Sequence, residues 1–253
     1  MEEENLALEM SRPFGRRLVA LAEIGRRAAV LDIGTGLGPV LFPALRKVGP
    51  EGIVVGVDVS DEMAKGIHVS IRNSKWHNAM IVKSDAKRLA FRDNTFDAVL
   101  CGFSYIYSSP EETKRVLKDG GQFGLSSWAA LDDMDFMLRF AGKHLPISWK
   151  DVYHRDTPET LEAFLAKAGF KDIRVICETQ EFLFKNEEQW WNEMLNSGWQ
   201  THLKKIEDRG SNLDEFKLEA FKELQKHKRF DGIPFEMSAL LAFGTKNRSK
   251  MSP

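Results

Sequence analysis

Asp32, Gly34, Gly36, Gly38 and Asp58 have the types and the spacing to hold an adenosine-containing ligand. The apolar run Ala29-Val30-Leu31 carries Asp32 and Ile33 into Gly34-Thr35-Gly36-Leu37-Gly38, and a second run, Ile53-Val54-Val55-Gly56-Val57, ends in Asp58. A buried strand entering a glycine turn, then a helix, then a strand ending in a carboxylate is the geometry that meets ribose hydroxyls. Spacing works against two related chemistries. The dinucleotide fingerprint needs its third glycine where this chain has Pro39, and no Gly-x-x-x-x-Gly-Lys-Ser/Thr phosphate loop is present.

The elements that must position these residues continue downstream. Ala79-Met80-Ile81-Val82 reads as a third strand, followed by Lys83-Ser84-Asp85-Ala86 and then by Phe96-Asp97-Ala98-Val99, which opens a fourth. Ser109-Pro110-Glu111-Glu112 starts a helix: Ser caps it, Pro takes the first helical position, and Glu112 is placed to complete a capping box. That helix ends in Arg115-Val116-Leu117-Lys118-Asp119-Gly120-Gly121, and a fifth strand runs from Gln122 to Trp128.

This text, from about residue 29 to 128, resembles the class I S-adenosylmethionine-dependent methyltransferases. Its flavour is that of the ubiquinone/menaquinone-type small-molecule group. The resemblance implies an α/β fold, a Rossmann-like doubly wound seven-stranded sheet whose last strand is antiparallel. It also implies roles. Asp32 would face the ammonium of the cofactor's methionine moiety; Gly34, Gly36 and Gly38 would let the backbone approach the cofactor; Asp58 would accept from the ribose hydroxyls. Asp85, with the backbone of Ala86, would meet the adenine edge. Gly102 falls where relatives touch the cofactor, although it offers only backbone. The segment Cys101-Gly102-Phe103-Ser104-Tyr105-Ile106-Tyr107-Ser108 is shorter than the family's usual loop, so an expected contact is missing there or supplied from elsewhere.

With 253 residues the chain suits one methyltransferase domain with insertions, and a core of that size needs no disulfide or metal. Its two cysteines, Cys101 and Cys177, form no metal-binding spacing and fit a reducing compartment. Cys101 reads as a small apolar strand residue rather than a nucleophile. A net charge of −1 gives no general attraction for nucleic acid, no apolar run is long enough to span a bilayer, and Met1-Glu2-Glu3-Glu4 is the opposite of a basic signal region. A cytoplasmic protein is expected. The oligomeric state is not legible.

The second half bears on specificity. Thr157-Pro158 starts a helix that Gly169 ends, and Ile173-Arg174-Val175-Ile176-Cys177 reads as a sixth strand. The expected seventh strand, near Phe235 to Phe243, does not follow at once. Residues 186–229 instead read as two amphipathic helices, one with Trp190, Trp191, Met194, Leu195 and Trp199 on a face, the other with Leu213, Phe216, Ala220, Phe221 and Leu224. A second insertion, residues 131–155, carries Phe136, Phe140, Trp149 and Tyr153. Both are expected to form a helical cap that excludes water and walls an apolar acceptor. The segment holding Leu6, Leu8, Met10 and Pro13-Phe14-Gly15 is expected to precede an apolar helix and to close over the cofactor. Candidates for a general base are isolated: His154 first and Tyr105 second, then His144 and Tyr107, none with a carboxylate that spacing places beside it.

The resulting expectation is a methyltransferase that uses S-adenosyl-L-methionine, needs no metal, and acts on a small apolar or aromatic acceptor. Two alternatives stay open at this level, a protein or RNA methyltransferase and a non-catalytic cofactor-binding subunit that kept the fold.

Overall fold

A computed structural model of the chain describes residues 6–74, 76–130, 156–195 and 213–248. In chain order the elements are α1 (Leu6–Leu21), β1 (Ala29–Ile33), α2 (Leu41–Val48), β2 (Ile53–Asp58), α3 (Asp61–Arg72), β3 (Ala79–Lys83), β4 (Phe96–Gly102), a 3-10 turn (Tyr105–Tyr107), α4 (Pro110–Val116), β5 (Leu117–Trp128), α5 (Pro158–Lys167), β6 (Lys171–Phe184), α6 (Glu187–Leu195), α7 (Leu213–His227) and β7 (Ile233–Thr245). Seven strands form one sheet in the order β3-β2-β1-β4-β5-β7-β6. The pairs β1/β2, β1/β4, β2/β3 and β4/β5 are parallel. β7 runs against β5, since Gly120 N–H donates to Lys246 C=O at 2.9 Å while Ala129 N–H donates to Ser238 C=O at 2.9 Å. Chain order reverses between β1 and β4, and in doubly wound sheets ligands bind beyond the strand ends at that point.

The chain divides into two compact units. One comprises Ser11–Ser127, Asp156–Glu178 and Ala239–Pro253. Its core joins Leu18, Val30, Leu41, Leu45, Val54, Leu100 and Phe243, all fully buried; β1 and β2 are apolar, as central parallel strands are, except for Asp32 in β1 and Asp58 at the end of β2. α1 is fastened to this core at its carboxyl end by Lys47, whose Nζ donates to the carbonyls of Val19, Ala20 and Ala22 at 2.7, 3.0 and 2.6 Å. Val19 and Ala20 are last-turn carbonyls that no helical N–H can reach, and Ala22 follows directly after the helix. The other unit comprises Met1–Met10, Trp128–Arg155 and Thr179–Ser238. There α6 packs on α7 through Trp190, Trp191 and Phe216, with ring centroids 6.4 and 6.0 Å apart along the series. Glu187 closes the other end of the pair by accepting from Gln225 and Lys228.

Several expectations change in detail. The segment Pro13-Phe14-Gly15 does not precede α1 but lies inside it, because Gly15 lets the helix touch the Pro39 carbonyl, where a β-carbon would stand 2.4 Å away. β6 runs past Cys177 to Phe184: Glu178-Thr179-Gln180-Glu181 looks too polar for a buried strand, but exposed and half-buried residues alternate there. The capping box at Ser109 is only half formed. Ser109 Oγ accepts from Glu112 N–H at 3.2 Å, but the Ser109 N–H goes to Ala86 C=O, so the Glu112 carboxylate turns instead to Leu89 N–H and Arg115. A full box forms at Thr157 and Thr160. The insertion at 131–155 and the middle of the one at 186–229 lie outside the described residues.

Candidate functional site

β1 and β2 end side by side, with Asp32 level with Gly56 and Ile33 level with Val57, so the turn after β1 and the carboxylate ending β2 are neighbours. Gly34 and Gly36 hold left-handed backbone, φ 68° and 48°, which a side chain disfavours. They differ in surroundings. A β-carbon on Gly34 would collide with Ser104, whereas one on Gly36 would meet nothing within 4 Å. Asp58, half-buried, accepts at Oδ2 from the Gly36 N–H (2.9 Å) and at Oδ1 from the Ser60 N–H (3.0 Å). It therefore shapes the turn as well as ending the strand. Next to it, Val59 is 70% exposed, an apolar side chain left in water at the strand's carboxyl end.

Asp32, in β1, is buried instead. It is 1% exposed, its Oδ2 accepts from the Thr35 hydroxyl at 2.8 Å, and its Oδ1 has no hydrogen-bond partner. A buried carboxylate oxygen without a donor is costly and asks for an explanation. Burial pushes the carboxyl up to about 7; the Thr35 hydroxyl pulls it down, the nearby Asp58 charge adds to the rise, and the Leu41 backbone N–H opposes it.

Asp85 and Ala86 follow β3 in a tight turn, Asp85 Oδ1 accepting from Lys87 N–H at 2.8 Å, with Asp85 exposed and Ala86 half-buried. Gly102 ends β4, with Val40 packed where its β-carbon would be. The structure thus brings Asp32, Gly34, Gly36, Gly38, Asp58, Asp85, Ala86 and Gly102 to the carboxyl edge of β1 to β4. Of the base candidates, His144 and His154 lie outside the described residues. Tyr107 is exposed. Tyr105 is buried: its hydroxyl donates to Asp156 Oδ2 at 2.7 Å and its ring packs edge-on against Phe164. Burial, that hydrogen bond and the Asp156 charge raise its phenol well above its ordinary value, so it holds its proton rather than taking another. Spacing gave Tyr105 no carboxylate neighbour; the fold gives it Asp156, which also accepts from Ser127 Oγ (2.5 Å) and Thr160 Oγ1 (2.9 Å). Sequence reasoning missed Thr35, Val59 and Ser104 beside the glycine turn and Asp58, and Ser127 and Asp156 around Tyr105; none carries a motif signal of its own. Cys101 is fully buried and its thiol is pushed up to about 12, chiefly by burial, which suits a core residue.

Residues 30–121 match the family model described as "Methyltransferase domain". The chain is 31% identical to nocamycin O-methyltransferase of Saccharothrix syringae over 76% of this chain and 78% of that protein. It belongs to the S-adenosylmethionine-dependent methyltransferases. This methyltransferase is also 36% identical to aklanonic acid methyltransferase DauC of Streptomyces sp. strain C5, in a match spanning 41% of this chain and less than half, 47%, of that protein. It is 27% identical to demethylmenaquinone methyltransferase of Listeria monocytogenes over 73% of this chain and 89% of that protein. A candidate methyltransferase of Bacillus halodurans C-125 shares the fold, with TM-score 0.63 and 22% identity over 92% of this chain and 98% of that one. Among the described residues no helix of this methyltransferase is long and apolar enough to cross a membrane, and no cluster of His, Cys, Asp or Glu could hold a metal ion.

Proposed function

We propose that this enzyme binds S-adenosylmethionine at the carboxyl edge of β1 to β4 and methylates a small, apolar or aromatic acceptor. The observation carrying the cofactor reading is the pairing of an open turn with an unsatisfied carboxylate oxygen. Gly36 leaves space where any side chain would stand, and Asp32, near the end of the strand that enters this turn, keeps one buried oxygen without a donor. A ligand bearing an ammonium group suits that oxygen, and hydroxyls suit the half-buried Asp58, so the residues present fit the cofactor. Bound there, S-adenosylmethionine supplies a methyl group on a sulfonium, open to in-line attack by a nucleophile. Val59 offers an apolar face beside Asp58, and the exposed Asp85 with the Ala86 backbone offers polar groups to an adenine edge. Catalysis then rests on holding two substrates in contact, which contributes on the order of 7 kcal/mol or more to lowering the barrier.

The acceptor class rests on the relatives, whose names specify aklanonic acid, demethylmenaquinone and nocamycin as their small-molecule contexts. A net charge of −1 agrees with a partner other than nucleic acid, and both cysteines are free thiols, as in a cytoplasmic protein. The inserted helices α6 and α7, with the 131–155 segment, are assigned the acceptor selectivity. The decisive experiment incubates the enzyme with methyl-labelled S-adenosylmethionine and extracts fractionated by polarity. Label is expected in an organic-extractable small molecule. Label only in protein or RNA would reverse the acceptor assignment.

A further inference from the structure

The turn after β4 is anchored residue by residue to separate parts of the fold. Phe103 holds a left-handed backbone, φ 58°, and its N–H reaches Ser126 on β5 at both the carbonyl (3.1 Å) and Oγ (3.2 Å). Such a conformation is costly for a bulky residue and persists only where neighbours impose it. Tyr105 is tied to Asp156 before α5. Between them, Ser104 donates from Oγ to the Ile33 carbonyl on β1 at 2.9 Å. Its oxygen also lies 3.2 Å from Cys101 Sγ; because the hydroxyl has one proton and gives it to Ile33, the neutral thiol is the donor in that second contact.

The consequence falls on a single peptide group. The Ile33–Gly34 peptide presents its C=O to Ser104, from the β4 side, and its N–H to the Val57 carbonyl on β2 at 2.9 Å. β4 and β2 flank β1, so the two bonds hold opposite edges of this peptide and fix its rotation about the chain. The Thr35 N–H adds to the β2 side at 3.0 Å. Ser104 also packs against Gly34 so closely that a β-carbon there would stand 2.2 Å from its Oγ and 2.7 Å from its Cβ. Position 34 is therefore confined to glycine twice over, by its φ and by Ser104.

We propose that Ser104 is a positioning residue for the cofactor, acting through Gly34: it fixes the rotation of the Ile33–Gly34 peptide and so the direction in which the Thr35-Gly36 turn opens to the ligand. This rests on the reading of the glycine turn as the cofactor site. Without the hydroxyl the peptide is held on one edge only, and binding must reorder it. Loss of one such hydrogen bond corresponds to roughly 2- to 12-fold weaker binding.

The test is titration calorimetry with S-adenosylhomocysteine on the full chain, with the Tm of each unliganded protein measured alongside. Ser104→Ala is expected to weaken binding by that factor while the folded population at the titration temperature stays complete. Gly34→Ala is expected to weaken it at least tenfold, and adding Ser104→Gly, which removes the colliding atoms, is expected to recover part of that loss although Ser104→Gly alone weakens binding. A merely structural hydroxyl would move Tm and leave the Kd of the folded protein unchanged. Wild-type affinity in Ser104→Ala, or no recovery in the double variant, overturns the proposal. Gly36→Val separates the two levels. If it binds as wild type, the turn is not the cofactor site and both readings fall; if it loses binding while Ser104→Ala does not, the positioning role alone falls.

Discussion

At the scale of single residues, the carboxyl groups of Asp32 and Asp58 are held in opposite ways. Asp58 is half-buried and satisfied by two backbone N–H groups, whereas Asp32 is buried with one oxygen unsatisfied. The sign of the pH effect follows. The folded-state carboxyl of Asp32 sits at about 7, above its ordinary 3.8, so the folded chain holds a proton that the unfolded chain has lost between those values. Its contribution to stability is therefore full below about pH 4, falls as pH rises, and is gone above 7. Denaturant unfolding of the unliganded protein should show Asp32→Asn gaining on wild type from pH 4 to 7 and then levelling off; a constant difference across that range would contradict the burial argument. A cationic ligand group opposite Asp32 needs the ionised form, so affinity for S-adenosylhomocysteine should weaken as pH falls below 7 in wild type and not in Asp32→Asn. For Asp58→Ala, loss of a charge-assisted bond of about 1.5 to 3 kcal/mol should raise the Kd on the order of ten- to a hundredfold, read by calorimetry on folded protein.

At the scale of elements, what matters is how helices are fastened to the sheet that presents the site. α1 is secured twice, by Gly15 lying on the Pro39 carbonyl and by Lys47 gathering three carbonyls at the helix end. Burial lowers the Lys47 ammonium's pKa, yet the carbonyls replace much of its hydration. Lys47→Met keeps the aliphatic stem and removes those bonds. It should cost about 2 kcal/mol in thermal unfolding, with cofactor affinity nearly unchanged, since the glycine turn does not depend on it. The helix starts were mostly legible, because Ser, Thr and Pro act within one turn of chain. Ser109 and Thr157 cap where the sequence placed helix starts, and Ser60, not singled out there, caps α3 in the same way. The Glu112 carboxylate went elsewhere because its partner N–H was claimed by Ala86, a residue far off in sequence. Local rules cannot see such a competitor.

For the whole molecule, the division into two compact units implies different stabilities. The unit built on β1 to β5 has a continuous apolar core, whereas α6 and α7 rest on a small aromatic cluster and exposed ion pairs such as Lys217–Glu188 at 2.9 Å. Short helices owe their stability to packing. Hydrogen exchange should show α6 and α7 opening more readily than β1, β2 and β4, and slowing when cofactor and acceptor are both present; equal protection in the free enzyme would refute this. The sequence by itself determined that the glycine turn after β1 and the carboxylate ending β2 meet at one edge, the proposed cofactor site. Asp32, the glycines and Asp58 lie within one strand-turn-helix-strand unit, where spacing alone dictates neighbourhood and φ > 0 dictates glycine. It also determined that a seventh strand follows an interruption. Only the tertiary structure decided that Asp32 is buried with an oxygen to spare, that Tyr105 is a donor to Asp156 rather than a free phenol, and that Ser104 closes on Gly34. Each of these depends on segments distant in the chain meeting at one edge. Burial and hydrogen-bond competition are properties of that meeting, and no periodicity or motif in the separate segments encodes them.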